Sequence, residues 1–156
     1  MEIILVIIII TLVIIYKYLI SNKKEYNFSG QANQQLLTNT ELNFYKKLKI
    51  ITDKYNFIIF SKVRLADIIK TSDYKNFSKV KSKHIDFIIT DQSTKPILYI
   101  ELDDPTHNYK KNQKINDNKK NIIFENIQKN LIRVKTTEIT DKLNFIENIL
   151  INKASK

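Results

Sequence analysis

Two apolar runs that contain acidic residues lie close together in the middle of this chain. Residues 83–91 and 96–103 are rich in isoleucine and aromatic side chains, and a short polar stretch separates them. Runs of this kind predict two β-strands joined as a hairpin. The acids inside them need an explanation, because the interior positions of a buried strand are normally apolar.

Three acidic side chains of this hairpin are predicted to project from one side of a sheet. Side chains alternate along a strand, so Glu101 and Asp103 share one face of the second strand, and Asp86 lies within the first. Carboxylates a few ångströms apart repel one another, and a hard divalent cation removes that cost. Because Mg²⁺ is held by a couple of carboxylates with water and substrate phosphate, the pattern predicts a Mg²⁺ (or Mn²⁺) site here.

Each of these acids also has an ordinary structural explanation when taken alone. A single Asp86 is typical of an edge or a turn, and residues 101–105 fit a strand that ends in an Asp-Pro turn. The combination favours a functional interpretation: one acid lies in the first run, two lie on one face of the next, and His107 follows four residues after Asp103.

The N-terminus predicts a membrane anchor over residues 1–20. Residues 3–16 are apolar apart from Thr11, and the run continues past Lys17. Eighteen helical residues span about 27 Å, close to the thickness of a hydrocarbon core. A cleaved signal peptide would have a basic start and a small-residue cleavage site, which this segment lacks. Positive charges follow the span, so we expect the remainder to face the cytoplasm.

Charge favours an anionic partner. The chain of 156 residues carries a formal net charge of +10 and has no cysteine. A basic excess favours nucleic acid or anionic lipid as a partner, and the absence of cysteine excludes disulfides, cysteine-ligated zinc and a thiol nucleophile. The candidate phosphate contacts are four lysines in or beside a predicted polar loop at 71–82, namely Lys75, Lys79, Lys81 and Lys83.

The order of predicted elements indicates an α/β domain over 36–156, after a polar linker at 21–35. Helical periodicity begins near Thr38 or Thr40, and Ile122 and Ile123 are expected on the packed side of a later helix. A helical crossover between strands and an antiparallel hairpin together predict a mixed four-stranded sheet. The elements are a helix from residue 38, a strand at 57–63, a short helical turn at 65–70, strands at 83–91 and 96–103, a helix at 109–129, a strand at 130–136 and a helix at 138–151.

This arrangement of motifs resembles the PD-(D/E)XK nuclease superfamily. Within it, the chain is most similar to a branch of small bacterial domains of unknown function related to very-short-patch-repair endonucleases. The resemblance covers residues 36–136 and includes a leucine-rich opening with a helical glutamate at 36–45 and a Val-Arg-Leu-Ala-Asp strand end at 63–67. The remaining motif residues are Asp86, Glu101-x-Asp103, His107, Asp117-x-x-Lys120 and Arg133.

The resemblance implies a restriction-endonuclease-like αβββαβα core and metal-dependent cleavage of DNA. It implies that Asp86 and Glu101 hold the metal, with Asp103 and Glu41 as further ligands. The superfamily's third acid is normally followed two residues later by a lysine that orients the attacking water, whereas this chain has Asp103 there. Three residues are candidates for the cation that replaces that lysine, namely Lys120, His107 and Lys83. Lys120 or His107 is also a candidate to protonate the leaving oxygen.

Two other functions remain compatible with the sequence. The missing lysine suits a nuclease-fold module that binds or tethers nucleic acid without cutting it. The lysines also suit an adaptor that binds anionic lipid at the membrane surface. Cleavage of DNA at the cytoplasmic face of the membrane is the leading hypothesis.

Overall fold

A computed structural model describes residues 1–21, 28–103 and 111–155, with residues 21 and 111–117 described by their backbone alone. The chain divides into two compact units, Met1–Gln34 and Gln35–Lys156. The predicted linker at 21–35 lies partly outside the described residues. The catalytic candidate His107 lies outside them too.

The first unit contains one long helix, α1, over Glu2–Ser21. Its segment Glu2–Ile20 is long and apolar enough to cross a membrane, and none of it is buried within the protein. A signal sequence near an N-terminus would satisfy the same criterion. Length and composition therefore support a membrane-spanning segment.

The second unit begins with helix α2, Asn39–Lys54, which starts at a capping box. The Thr38 hydroxyl accepts a hydrogen bond from the Glu41 backbone N–H at 3.3 Å, and the Glu41 carboxylate accepts one from the Thr38 N–H at 2.8 Å. Two backbone donors at the start of the helix are thereby satisfied. Of the two predicted caps, Thr38 is the one used.

Four strands form one mixed sheet in the order β1-β2-β3-β4. The first two neighbouring pairs are antiparallel and the last is parallel. Helix α5, Lys111–Asn126, lies in the chain between the two parallel strands, as a parallel connection requires. The strands are β1 (Ile58–Arg64), β2 (His84–Thr90), β3 (Pro96–Asp103) and β4 (Leu131–Lys135).

Helices cover the sheet through two separate apolar clusters. The first joins α2 and the last helix α6, Ile139–Ala154, to alternate residues of the three strands β2, β3 and β4, with Phe44 and Phe87 fully buried in it. The second contains Ile88, Tyr99 and Phe124. Because alternate residues of the strands belong to different clusters, the sheet lies between two helical layers. This is an α/β architecture with a mixed sheet.

Two short helices lie between β1 and β2, and one of them corrects the sequence prediction. Residues 65–70 were expected to form a helical turn, and α3 occupies Leu65–Ile68. The polar stretch 71–82 was predicted to be a loop, but α4 occupies Tyr74–Val80. Asp73 caps it by accepting a hydrogen bond from the Asn76 N–H at 2.8 Å, and Val80 is buried in the second cluster.

The packed side of α5 also differs from the prediction. Ile122 is 47% exposed, whereas Phe124 is buried against Tyr99 with 5.0 Å between ring centroids. Ile123 packs against the same cluster, as expected. The buried stripe is therefore rotated toward Phe124, because the larger ring fills the space over Tyr99. A 3₁₀ turn, Thr136–Glu138, leads from β4 into α6.

Candidate functional site

Four charged residues, one from each strand, form a row across the sheet. Glu101 pairs with Arg133 in the parallel register. Phe87 pairs with Ile100 in the antiparallel register of β2 and β3, so the next residues along, Asp86 and Glu101, lie beside each other. The β1–β2 register places Lys62 opposite Asp86. The row therefore reads Lys62, Asp86, Glu101, Arg133, with two acids in the middle and a cation at each end. The predicted convergence of acids from β2 and β3 matches this geometry.

Lys62 joins the carboxylates of Asp86 and Glu41. Its Nζ lies 2.5 Å from Glu41 Oε1 and 2.9 Å from Asp86 Oδ1. Burial lowers the pKa of Lys62, but the two carboxylates outweigh it and raise that pKa above its usual range. For Glu41, burial is likewise outweighed by Lys62 and the Thr38 N–H, so the pKa of Glu41 is lowered. Both groups are held in their charged forms.

Asp86 is fixed through both oxygens. Oδ1 accepts a hydrogen bond from Lys62, and Oδ2 accepts one from the backbone N–H of Leu102 at 3.0 Å. The second contact joins the acid of β2 to the backbone next to Glu101 on β3. A carboxylate held at both ends keeps one orientation, as a metal ligand or a structural anion must.

Glu101 is the most buried acid of the row, with 5% of the residue exposed. Lys120 Nζ on α5 donates to its Oε2 at 2.7 Å, while Oε1 is buried without a hydrogen-bond partner among the described residues. Burial, followed by the charge of Asp86, raises the pKa of Glu101 to about 7, and Lys120 opposes that rise. An unpaired buried carboxylate oxygen is costly, and a cation beside it would remove the cost.

Asp103 lies in the sequence position where the superfamily motif has a lysine, and it contacts a cation from the neighbouring strand. Arg133 donates to Asp103 Oδ1 at 2.7 Å and, through Nε, to Asn121 Oδ1 at 3.0 Å. Arg133 thus bridges β3, β4 and α5. The pair is half-buried at the end of the parallel strands.

The structure brings together most of the predicted acids and adds one cation that sequence reasoning missed. Asp86 and Glu101 are neighbours, Glu41 reaches Asp86 through Lys62, and Lys120 contacts Glu101. The sequence signal for Lys62 was weak, because the predicted strand 57–63 has a second polar residue, Ser61, directly before it. Among the residues that the structure describes, no three acidic or histidine side chains are arranged around one metal position.

The four predicted nucleic-acid lysines lie on and after α4. Lys75 and Lys79 are exposed on the helix, and Lys79 donates to Asn76. Lys81 lies 5.7 Å from the ring centroid of Tyr74, which is itself exposed. Lys83 is half-buried, and its carbonyl accepts a hydrogen bond from the Leu65 N–H at 2.8 Å. The first three are accessible to an anionic partner.

Two surface cavities do not involve this row. They have volumes of about 320 and 380 Å³ and share Ile97 and Lys129 in their lining. They lie near the start of β3, whereas Glu101 and Asp103 lie near its end. The candidate site is therefore the charged row.

The fold and the row define an α/β domain in which paired charges cross a mixed sheet. A family model described as Protein of unknown function (DUF2726) matches residues 33–152. The chain belongs to this family, which agrees with the predicted likeness to a domain of unknown function. No curated protein matches the chain, and no solved structure matches it.

Proposed function

We propose that this protein is a metal-dependent nuclease of the PD-(D/E)XK type that cleaves DNA. The observation that carries the proposal is Glu101 Oε1, a buried carboxylate oxygen without a hydrogen-bond partner among the described residues, beside Asp86. Folded proteins rarely leave such an atom unpaired. A bound cation would satisfy it.

The residues present fit a divalent metal. Asp86 and Glu101 supply two carboxylates from adjacent strands, which is the kind of ligand set that Mg²⁺ uses. Glu41 and Asp103 are further candidate ligands, although each contacts a cation of the protein. When bound, Mg²⁺ or Mn²⁺ would lower the pKa of a coordinated water and offset phosphate charge.

The protein's own residues would hold the site in order. Lys120 fixes Glu101 through Oε2, while the buried Oε1 has no hydrogen-bond partner among the described residues. Lys62 and the Leu102 N–H hold Asp86, and Arg133 holds Asp103. His107 remains a predicted proton donor.

The sheet topology supports a restriction-endonuclease-like core. An antiparallel meander followed by a parallel fourth strand after a helix has the order that the resemblance implies. The acids lie on β2 and β3, the second and third strands. We also assign α1 to a membrane anchor with the domain in the cytoplasm, because the basic residues follow the apolar span.

The test uses the full chain in detergent micelles with supercoiled plasmid and single-stranded DNA, in Mg²⁺ or Mn²⁺. We expect Asp86→Asn and Glu101→Gln each to lower the cleavage rate by about 100-fold or more. Asp67→Asn is the matched control, since Asp67 is an exposed acid paired with Arg64 outside the row. Cleavage that survives both site variants would contradict the proposal.

Metal binding gives an independent measurement. Mg²⁺ should raise the melting temperature of the wild-type protein, because a ligand that binds only the folded state stabilises it. Glu101→Gln should lose most of that shift, and Asp67→Asn should keep it. An unchanged shift in Glu101→Gln would mean that the metal binds elsewhere.

A second candidate function is a nucleic-acid-binding module that does not cut. It is favoured by the pairing of the site's carboxylates with protein cations and by Asp103 at the position of the motif lysine. Wild-type protein that binds DNA tightly but never cleaves it with any divalent metal would support this function.

A further inference from the structure

We propose that Lys62 takes the place of the lysine that the motif lacks after Glu101, so that the water-orienting cation comes from β1. This inference rests on the proposed function. The sequence analysis had named Lys120, His107 and Lys83 as candidates, and none of them lies on β1. Three observations carry the inference: the backbone at Lys62, the contacts of its ammonium group, and its exposure relative to the other cations.

The backbone of Lys62 is in the left-handed region, with φ of 54°. The other described non-glycine residues with positive φ are Asn56, Thr94 and Gln128, and each lies in a turn between elements. Lys62 instead lies inside a strand, where left-handed backbone costs free energy for any residue except glycine. Such strain persists only where surrounding contacts hold it, and it clusters at functional sites.

Those contacts are made by the ammonium group. Lys62 Nζ contacts Glu41 Oε1 and Asp86 Oδ1, two of the proposed metal-site acids. Glu41 has one oxygen on the Thr38 N–H and the other on Lys62, so the start of α2 and the strained strand are tied together. Glu41 is then a positioning residue for this lysine.

The other two cations beside these acids, Lys120 on α5 and Arg133 on β4, have different partners. Lys120 pairs with the buried Glu101, and its side chain is 17% exposed against 29% for Lys62. Arg133 is held by Asp103 and Asn121. Lys62 is therefore the more accessible of the two lysines beside the acids, and it contacts Asp86, which would hold the metal.

The experiment compares Lys62→Met with Lys62→Arg in the full-length protein, and Lys49→Met is the control. Lys49 is an exposed lysine paired with Asp53 on α2. We expect Lys62→Met to lower kcat by about 100-fold while KM for DNA stays within about threefold, because one lysine contributes little to binding. Lys62→Arg should recover part of that loss, since it retains a cation.

Metal binding separates a role in cleavage from a role in folding. Removing a positive charge beside Asp86 should leave the Mg²⁺-induced rise in melting temperature of Lys62→Met at least as large as that of wild type. A protein merely damaged at this site would lose cleavage and metal response together. The assignment would be overturned if Lys62→Met lost the Mg²⁺ response, or if it cleaved DNA as fast as the wild type does.

The backbone strain gives a measurement that does not require activity. Lys62→Gly and Lys62→Ala remove the same ammonium group, but only glycine accepts positive φ without strain. Lys62→Gly should therefore melt a few degrees above Lys62→Ala, whereas glycine in an ordinary strand position melts lower. The reverse order would remove the structural basis of the assignment. Wild-type protein that neither responds to Mg²⁺ nor cuts would refute the proposed function itself, and this inference with it.

Discussion

The raised pKa of Glu101 predicts an unusual dependence of stability on pH. Its pKa is about 7 in the folded protein, against a reference value of 4.5, because of burial and the nearby charge of Asp86. The folded state therefore holds this proton more tightly than the unfolded state does. The stability that this difference in proton binding provides is fully present below about pH 4.5 and is lost as pH rises toward 7. At about 1.4 kcal/mol per pKa unit, the loss is about 3 kcal/mol.

The assay is thermal unfolding of wild type and Glu101→Gln in detergent from pH 4 to 8, without metal. Glutamine does not titrate, so the wild type should lose about 3 kcal/mol relative to the variant across this range, roughly 10 °C for a domain of this size. At any single pH, the difference in stability between wild type and Glu101→Gln also includes the loss of the ion pair with Lys120. The change of that difference with pH is therefore the quantity to compare.

Glu147→Gln is a control with the opposite sign. Hydrogen bonds from Lys54 and Tyr55 lower the pKa of Glu147, so wild type should gain stability relative to this variant as pH rises. Mg²⁺ at pH 8 should restore stability to wild type and not to Glu101→Gln. A difference between wild type and Glu101→Gln that stays flat from pH 4.5 to 7 would refute the reasoning.

Three further predictions address the cap, the basic helix and the membrane. Thr38→Ala should lower the free energy of unfolding by about 1 kcal/mol in urea titrations, because it removes a helix cap; an unchanged midpoint would contradict this. Replacing Lys75, Lys79 and Lys81 together by Ala should weaken DNA binding at every sequence and reduce the salt slope by up to about 3 units, with Lys142→Ala on α6 as the control. A reporter fused to the C-terminus should be active in the cytoplasm, and activity only in the periplasm would reverse the assigned orientation.

The sheet was predictable because its signals are local. Alternation and β-branched residues located β2 and β3, and the stretch before β4 was periodic enough to indicate a crossover helix. The capping box at Thr38 is a contact between residues three apart, so it too is visible in the sequence. Asp86 and Glu101 followed from alternation on two consecutive strands, whose short turn leaves few registers.

The misplaced features depend on contacts between distant segments. Helix α4 was missed because its polar surface resembles a loop, and it is held by burial of Val80 beside Ile85. The exposure of Ile122 was missed because periodicity does not say which apolar residue meets Tyr99. Lys62 was missed for a similar reason, since its partner Asp86 is 24 residues away and the bend at φ of 54° has no local signature.

The charge balance of the site suggests how DNA would approach it. Among the described residues, four carboxylates, namely Glu41, Asp86, Glu101 and Asp103, face three cations, namely Lys62, Lys120 and Arg133. Four minus three leaves one negative charge above pH 7, where Glu101 is ionised. One divalent cation would change this to a single positive charge, which suits a phosphodiester.

This balance yields a final prediction that needs no cleavage. Without metal, the extra negative charge should repel a phosphate at the row, so Glu101→Gln should bind DNA a few-fold more tightly than wild type at pH 8. Asp67→Asn removes one negative charge outside the row and corrects for the general gain in positive charge. Equal gains in the two variants would mean that DNA does not approach the row, and that its binding depends on lysines elsewhere, such as those of α4.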